Sequence, residues 1–185
     1  MEIEKAIEIV LQENKNVLAK VEKKTLEKFI KAILSAKRIF LAGEGRSGFI
    51  AKAFAMRLMQ LGFNVYVAGE TITPGIQKGD LLVACSGSGE TEVTFHMAEV
   101  SRMYGAKVIA LTANINSVLV NVSDLVVGIP APYRGKFKVC PGSKQCGGSL
   151  FEQALFLVLE VIVFVLMRRL KKSPHELQRL HTKLE

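Results

Sequence analysis

Residues 43–48 read GEGRSG and residues 86–91 read SGSGET, and these two stretches decide the fold. Each follows a short apolar run, RIFLA (Arg38–Ala42) and LLVAC (Leu81–Cys85), and each leads into residues at helical spacing. Three more runs share the character of the first two: NVYVA (Asn64–Ala68), KVIAL (Lys107–Leu111) and DLVVGI (Asp124–Ile129). None alternates apolar with polar, which is how parallel strands buried on both faces read. Between them, Ile50, Ala51, Phe54, Leu58 and Leu61 mark a helix over Ser47–Leu61. Val93, Met97, Val100 and Tyr104 mark another over Glu90–Tyr104, stopped by Gly105. Asn116–Asn121 is a short link. Alternation of strand and helix of this kind predicts an α/β fold, a three-layer αβα sandwich on a five-stranded parallel doubly wound sheet of flavodoxin-like order.

Outward from this core, Ile3, Ala6, Ile7, Val10 and Leu11 predict a first helix, and Leu26, Phe29, Ile30, Ile33 and Leu34 a second from about Lys24 to Ala36. Ala131–Gly148, with two prolines and four glycines, reads as a loop. A long apolar helix, Leu150–Leu170, follows, and a break at Ser173–Pro174 opens a short last helix ending near His181. The expected organisation is one domain over 1–185: helices at 1–36, the sheet core at 37–130, the loop at 131–148 and helices at 149–185.

The chain has 185 residues, 49% of them hydrophobic, too apolar for a disordered chain. Cys85, Cys140 and Cys146 are odd in number and form no C-x-x-C pair, which excludes a secreted disulfide scaffold and fits a reducing cytoplasm. The spacing of Cys140 and Cys146 is poor for zinc, and a disulfide between them stays open. The N-terminus carries charges throughout, unlike a signal peptide. Glu152 and Glu160 interrupt the apolar helix, so it is expected to lie buried in protein between subunits and not to span a membrane. Its residues Leu155, Leu159, Ile162, Val163 and Leu166 are expected to need a dimer or, preferably, a tetramer to cover them. The net charge of +8 comes without Trp, basic runs or a nucleic-acid motif, so no nucleic acid is expected. A solvated basic surface and a positive rim that draws a small phosphorylated anion both fit that charge.

Taken alone, GEGRSG satisfies G-x-G-x-x-G, and Glu70 stands where a dinucleotide fold puts its ribose-binding acid. The physical content is broader. Glycines such as Gly45 let the backbone approach an anion, and a helix N-terminus offers free N–H groups to it. SGSGET adds hydroxyls from Ser86, Ser88 and Thr91 beside Gly87 and Gly89. No lysine follows in P-loop fashion, so this cradle suits a phosphate monoester without Mg²⁺. Ser47 of the first loop supplies a further hydroxyl. Plain helix capping by Ser and Thr remains open on these residues alone.

Together these segments resemble the sugar isomerase (SIS) domain family. GEGRSGFIAKAFAMRLMQLGF (Gly43–Phe63), VAGETITPGIQKGDLL (Val67–Leu82), SGSGET, GSLFEQ (Gly148–Gln153) and HTKLE (His181–Glu185) resemble, within it, the 6-phospho-3-hexuloisomerase family. The chain departs from that family in Ala131–Gly147, which carries KVCPGSKQCG. The resemblance implies reversible conversion of D-arabino-hex-3-ulose 6-phosphate to D-fructose 6-phosphate, with no cofactor and no metal. It implies that Ser47, Ser86, Ser88 and Thr91 hold phosphate, with Gly45, Arg46, Gly87 and Gly89 at the substrate. Glu152 would be the base, and His181 would assist from another subunit of a homo-oligomer. It also implies a pathway neighbour, 3-hexulose-6-phosphate synthase, in ribulose monophosphate metabolism. On the residues alone, Ser149 and Glu152 equally form an S-x-x-E capping box, and His181 is a surface residue. Glu44 and Thr73 are lesser candidates, Arg57 reads as structural and His96 as a surface histidine. An arabinose-5-phosphate isomerase and a non-catalytic sugar-phosphate-sensing module are the rival readings. The latter is expected beside a DNA-binding or CBS segment.

Overall fold

The computed structural model describes residues 2–133, 142–180 and 183. Five strands form one sheet: β1 (Ile39–Gly43), β2 (Val65–Val67), β3 (Leu81–Cys85), β4 (Lys107–Thr112) and β5 (Leu125–Gly128). All pair in parallel, in the order β2-β1-β3-β4-β5. The strand direction of travel reverses between β1 and β3, which places a switch point at their carboxyl ends. The helices are α1 (Ile3–Lys20), α2 (Lys23–Ser35), α3 (Gly45–Gln60), α4 (Glu92–Met103), α5 (Val118–Asn121), α6 (Ser149–Arg169) and α7 (Pro174–Arg179).

Alternate strand residues enter opposite layers. Ile39, Leu41, Leu81, Val83, Cys85, Ile109 and Leu111 pack with α2, α3 and α6. Phe40, Ala42, Leu82, Ala84, Val108 and Ala110 pack with Ala98 of α4 and Leu119 of α5. Both faces are therefore dry, and this is why the runs carry no polar alternation. The αβα sandwich and the flavodoxin-like order expected from the sequence are the observed ones.

Two glycines let α3 lie against β1. A Cβ on Gly48 would fall 2.5 Å from the Gly43 carbonyl oxygen, so only glycine fits there. At the opposite end of the sheet, Asp80 is buried and receives Nε of Arg38 at 3.0 Å and Nη2 at 2.5 Å. The Gln77 N–H also donates to it, at 2.9 Å, and Arg38 reaches the Gly75 carbonyl, so this pair anchors the segment between β2 and β3.

Two expectations need correction. α4 begins at Glu92, two residues later than its periodicity suggests, because the 86–91 segment folds on itself first. The apolar stripe of α6 assigned to a subunit contact is instead core: Leu155, Leu159, Ile162, Val163 and Leu166 are all buried within this chain. α6 packs these residues against α1, α2 and α3, while Phe156, Leu157, Val161 and Phe164 are the exposed ones. α6 is long and apolar enough to cross a membrane, yet half of it is buried inside the fold.

Candidate active site at the switch point

The β1 and β3 ends lie side by side, with Gly43 opposite Cys85, so both loops open on the same edge. In the second loop Ser86 is buried, and its hydroxyl accepts the Gly89 N–H at 3.1 Å and pairs with the Thr91 hydroxyl at 2.9 Å. The Ser88 hydroxyl accepts the Glu90 N–H at 3.1 Å. Gly89 takes φ +65, and a Cβ there would overlap Ser117 Oγ at 1.9 Å. The loop is thus wound tightly, with its hydroxyls holding its own shape ahead of α4. Thr91 caps α4 without a side-chain bond to it. Among the described residues nothing pairs with the Ser47 hydroxyl of the first loop.

Glu152 enters from a third direction. Gly148, at φ +91, is the N-cap of α6, and no side chain caps the helix. The S-x-x-E capping box allowed by Ser149 and Glu152 therefore does not form. Ser173 and Glu176 show what a formed box looks like: the Ser173 N–H donates to Glu176 Oε2 at 2.7 Å and Glu176 N–H to Ser173 Oγ at 3.2 Å. The Ser173 N–H, then its hydroxyl at 2.9 Å, both donating to Oε2, hold the Glu176 carboxyl below its ordinary value. The Glu152 carboxylate, left out of capping, is largely buried and accepts Nε of Arg46 from the first loop. Arg46 itself is mostly exposed.

Phe151, beside Glu152, is buried and lies on the second loop: a Cβ on Gly87 would sit 2.9 Å from its ring. The two loops and the first turn of α6 are therefore in mutual contact, Arg46 touching Glu152 and Gly87 touching Phe151. Sequence reasoning placed Gly45, Arg46, Ser47, Ser86, Gly87, Ser88, Gly89, Thr91 and Glu152 at one site, and these contacts gather all three segments. His181 lies outside the described residues, as do Arg134, Lys136, Lys138 and Cys140. Glu70, the acid a dinucleotide fold would use, is 3.5 Å from Lys52. The Thr73 hydroxyl donates to the Val67 carbonyl at 2.5 Å, and Arg57 binds Gln60. His96 is exposed beside Glu99.

Among the described residues no group of three or more His, Cys, Asp or Glu could hold a metal ion. Clefts of 340, 300 and 410 Å³ lie elsewhere, and neither loop lines them.

The SIS domain family matches residues 32–135, more than half of the chain. The 3-hexulose-6-phosphate isomerase of Mycobacterium gastri is 40% identical over 182 residues, covering 97% of this chain and 89% of its own. That of Bacillus subtilis is 36% identical, covering 95% of both chains. A crystal structure of a protein from Methanococcus jannaschii, from which a function of 3-hexulose-6-phosphate isomerase was inferred, superposes with a TM-score of 0.83 at 32% identity over 98% of this chain and 99% of its own. A match over more than half the chain by the domain, and over nearly all of it by these relatives, has one reading: the chain belongs to the SIS domain family, among the 3-hexulose-6-phosphate isomerases.

Proposed function

We infer that this chain is a sugar-phosphate isomerase that interconverts D-arabino-hex-3-ulose 6-phosphate and D-fructose 6-phosphate. The observation that carries the site assignment is the position of Glu152. Its carboxylate is left out of the cap of its own helix and pairs with Arg46, while the preceding residue, Phe151, packs on Gly87 of the 86–91 loop. A phosphate monoester held at the 86–91 loop and Ser47 leaves the sugar carbons reaching toward that carboxylate. Holding the remote phosphate supplies binding energy that fixes the reacting carbons.

Glu152 takes the proton from C2 of the hexulose, and the C–H pair becomes the C2=C3 bond as the C3 carbonyl becomes an enediolate oxygen. The proton returns to C3 while the C2 hydroxyl loses its own and becomes the carbonyl. The Arg46 guanidinium, next to Glu152, stabilises the negative oxygen while it exists. His181, reaching from a neighbouring subunit, carries the proton between O2 and O3. The exchange is internal, so electrons balance without a redox cofactor and the chemistry asks for no metal.

The exposed stripes Ile3, Ile7 and Leu11 on α1 and Leu157, Val161 and Phe164 on α6 support a homo-oligomer, a tetramer by preference, in which a second copy contributes to the site. We place residues 1–185 as a single unit working in the cytoplasm beside 3-hexulose-6-phosphate synthase, without nucleic acid or membrane. The test is release of fructose 6-phosphate from 3-hexulose 6-phosphate with EDTA present, against arabinose 5-phosphate as rival substrate. Glu152→Gln is expected to abolish turnover and keep sugar-phosphate binding. Turnover at the wild-type rate in that variant removes Glu152 from the mechanism, and turnover of the pentose ester alone overturns the substrate.

A further inference from the structure

The segment 142–148 leads straight into α6, and its hydrogen bonds run back to α1. Glu13 accepts the Ser143 hydroxyl at 2.7 Å, the Lys144 N–H at 2.9 Å and the Gln145 side-chain amide at 2.8 Å. Gln145 accepts the Gln153 amide at 2.8 Å, and Gln153 in turn accepts Nδ2 of the buried Asn14 at 2.6 Å. Glu13 and Asn14 are neighbours on α1, so the relay closes on itself. It ties both ends of Gln145–Gln153 to one helical turn. The Lys144 N–H, then the Ser143 hydroxyl and the Gln145 amide, hold the Glu13 carboxyl below its ordinary value against the opposing effect of desolvation. It is therefore an acceptor of all three donors at neutral pH.

This clamp has a reason to exist. α6 has no side-chain cap and starts at a left-handed glycine; the Ser149 N–H bond to the Cys146 carbonyl and the buried Leu150 and Phe151 anchor its first turn, and the relay adds a side-chain tie through Gln153. That turn carries Glu152, and Gln153 of the relay is the next residue. We propose that Glu13 is a positioning residue for the isomerase site: its carboxylate fixes residues 143–145 and, through Gln145 and Gln153, the first turn of α6 that aims Glu152. The proposal rests on the reading of Glu152 as the base.

Glu13→Gln tests it, because the amide presents donors to a site that holds three donors. A shift of about 1 Å in a reacting group costs roughly a hundredfold, so a partial displacement lowers kcat about tenfold. Expected with it are a KM for the hexulose ester within about twofold and an undiminished number of fructose 6-phosphate sites by calorimetry. A merely structural role lowers the number of binding sites in step with kcat, and that outcome overturns the proposal. Ser143→Ala removes one donor only, and a smaller fall of kcat in the same sense is expected. Unchanged kcat in Glu13→Gln, or in Ser143→Ala should the first variant not fold, also overturns it. Failure of the underlying reading looks different. Glu152→Gln at full rate removes the base and the positioning role together. An inactive Glu152→Gln beside a fully active Glu13→Gln removes the positioning role alone.

Discussion

Gly87→Ala probes a contact that joins the 86–91 loop to the helix carrying Glu152. Gly87 has no left-handed backbone requirement, so the substitution is a test of space alone. The new Cβ would meet the Phe151 ring at 2.9, 3.2 and 3.3 Å, where ordinary contact begins at 3.4 Å. Something must therefore move by 3.4 − 2.9, or 0.5 Å. Phe151 is 2% exposed and packed in the main core, so the ring has no free space behind it. The strain is shared by the loop and the first turn of α6, at a cost of about 1–3 kcal/mol. The larger effect is on geometry, since half of the roughly 1 Å that costs a hundredfold corresponds to about tenfold in kcat. The assay is steady-state release of fructose 6-phosphate beside a thermal melt. Phe151→Leu in the same chain makes room for the methyl group, so the double variant is expected to recover part of the loss, a coupling that independent sites do not show. A wild-type kcat in Gly87→Ala with a lowered Tm would refute the argument that loop and helix are mechanically linked. So would losses that simply multiply in the double variant.

Asp80→Ala leaves the Arg38 guanidinium without its carboxylate at the amino end of the sheet; because Arg38 is partly solvated, the loss is expected at about 2–3 kcal/mol, or roughly 4–12 °C in Tm, with kcat unchanged. A fall in kcat at temperatures where the variant is fully folded would contradict the separation of the two sheet ends. Glu13 has a folded-state pKa lowered from 4.5, so its stabilisation is complete above that value and is lost as pH falls through the folded value. Glu13→Gln is therefore expected to narrow its stability deficit as the pH of denaturant melts drops below about 4.5, and a constant deficit would count against it. Cys85 is fully buried, and burial pushes its thiol up to about 12. At pH 8 it is expected to resist iodoacetamide in the folded protein while the exposed Cys146 reacts, and rapid modification of Cys85 would show that β3 opens.

The strands were readable because a sheet covered on both faces demands apolar residues at nearly every position, and the runs beginning at Ile39, Leu81 and Val108 supply them. The loops were readable for a related reason: Gly43 and Gly48 must be glycine for α3 to sit against β1. α6 was readable as a helix but not in its rotation. A helix apolar all round carries no phase, so Leu155, Ile162 and Leu166 looked like a subunit face and are core, while Leu157, Val161 and Phe164 are outside. The partners of Glu152 were out of reach of local pattern. Arg46 stands 106 positions away, and the Ser143–Glu13 bond spans 130. Local rules favoured a capping box, and the tertiary pair won because Gly148 caps the helix one residue earlier and frees the carboxylate.

The SIS match ends at residue 135, before α6 begins. It therefore contains both loops and neither Glu152 nor the relay that leads to it. A chain could keep the phosphate cradle of that region and still be a sensing module. The proposed mechanism needs a carboxylate brought to the cradle from outside it, and the residue assigned that role, Glu152, is on α6. The relatives named as isomerases cover 97% and 95% of this chain, so their match cannot omit α6. On that mechanism, binding and chemistry come from different parts of the sequence. The junctions between them are Arg46 with Glu152, and Gly87 with Phe151. A change confined to these junctions should separate substrate affinity from turnover, whereas loss of the hydroxyls of Ser86, Ser88 or Thr91 should alter both together.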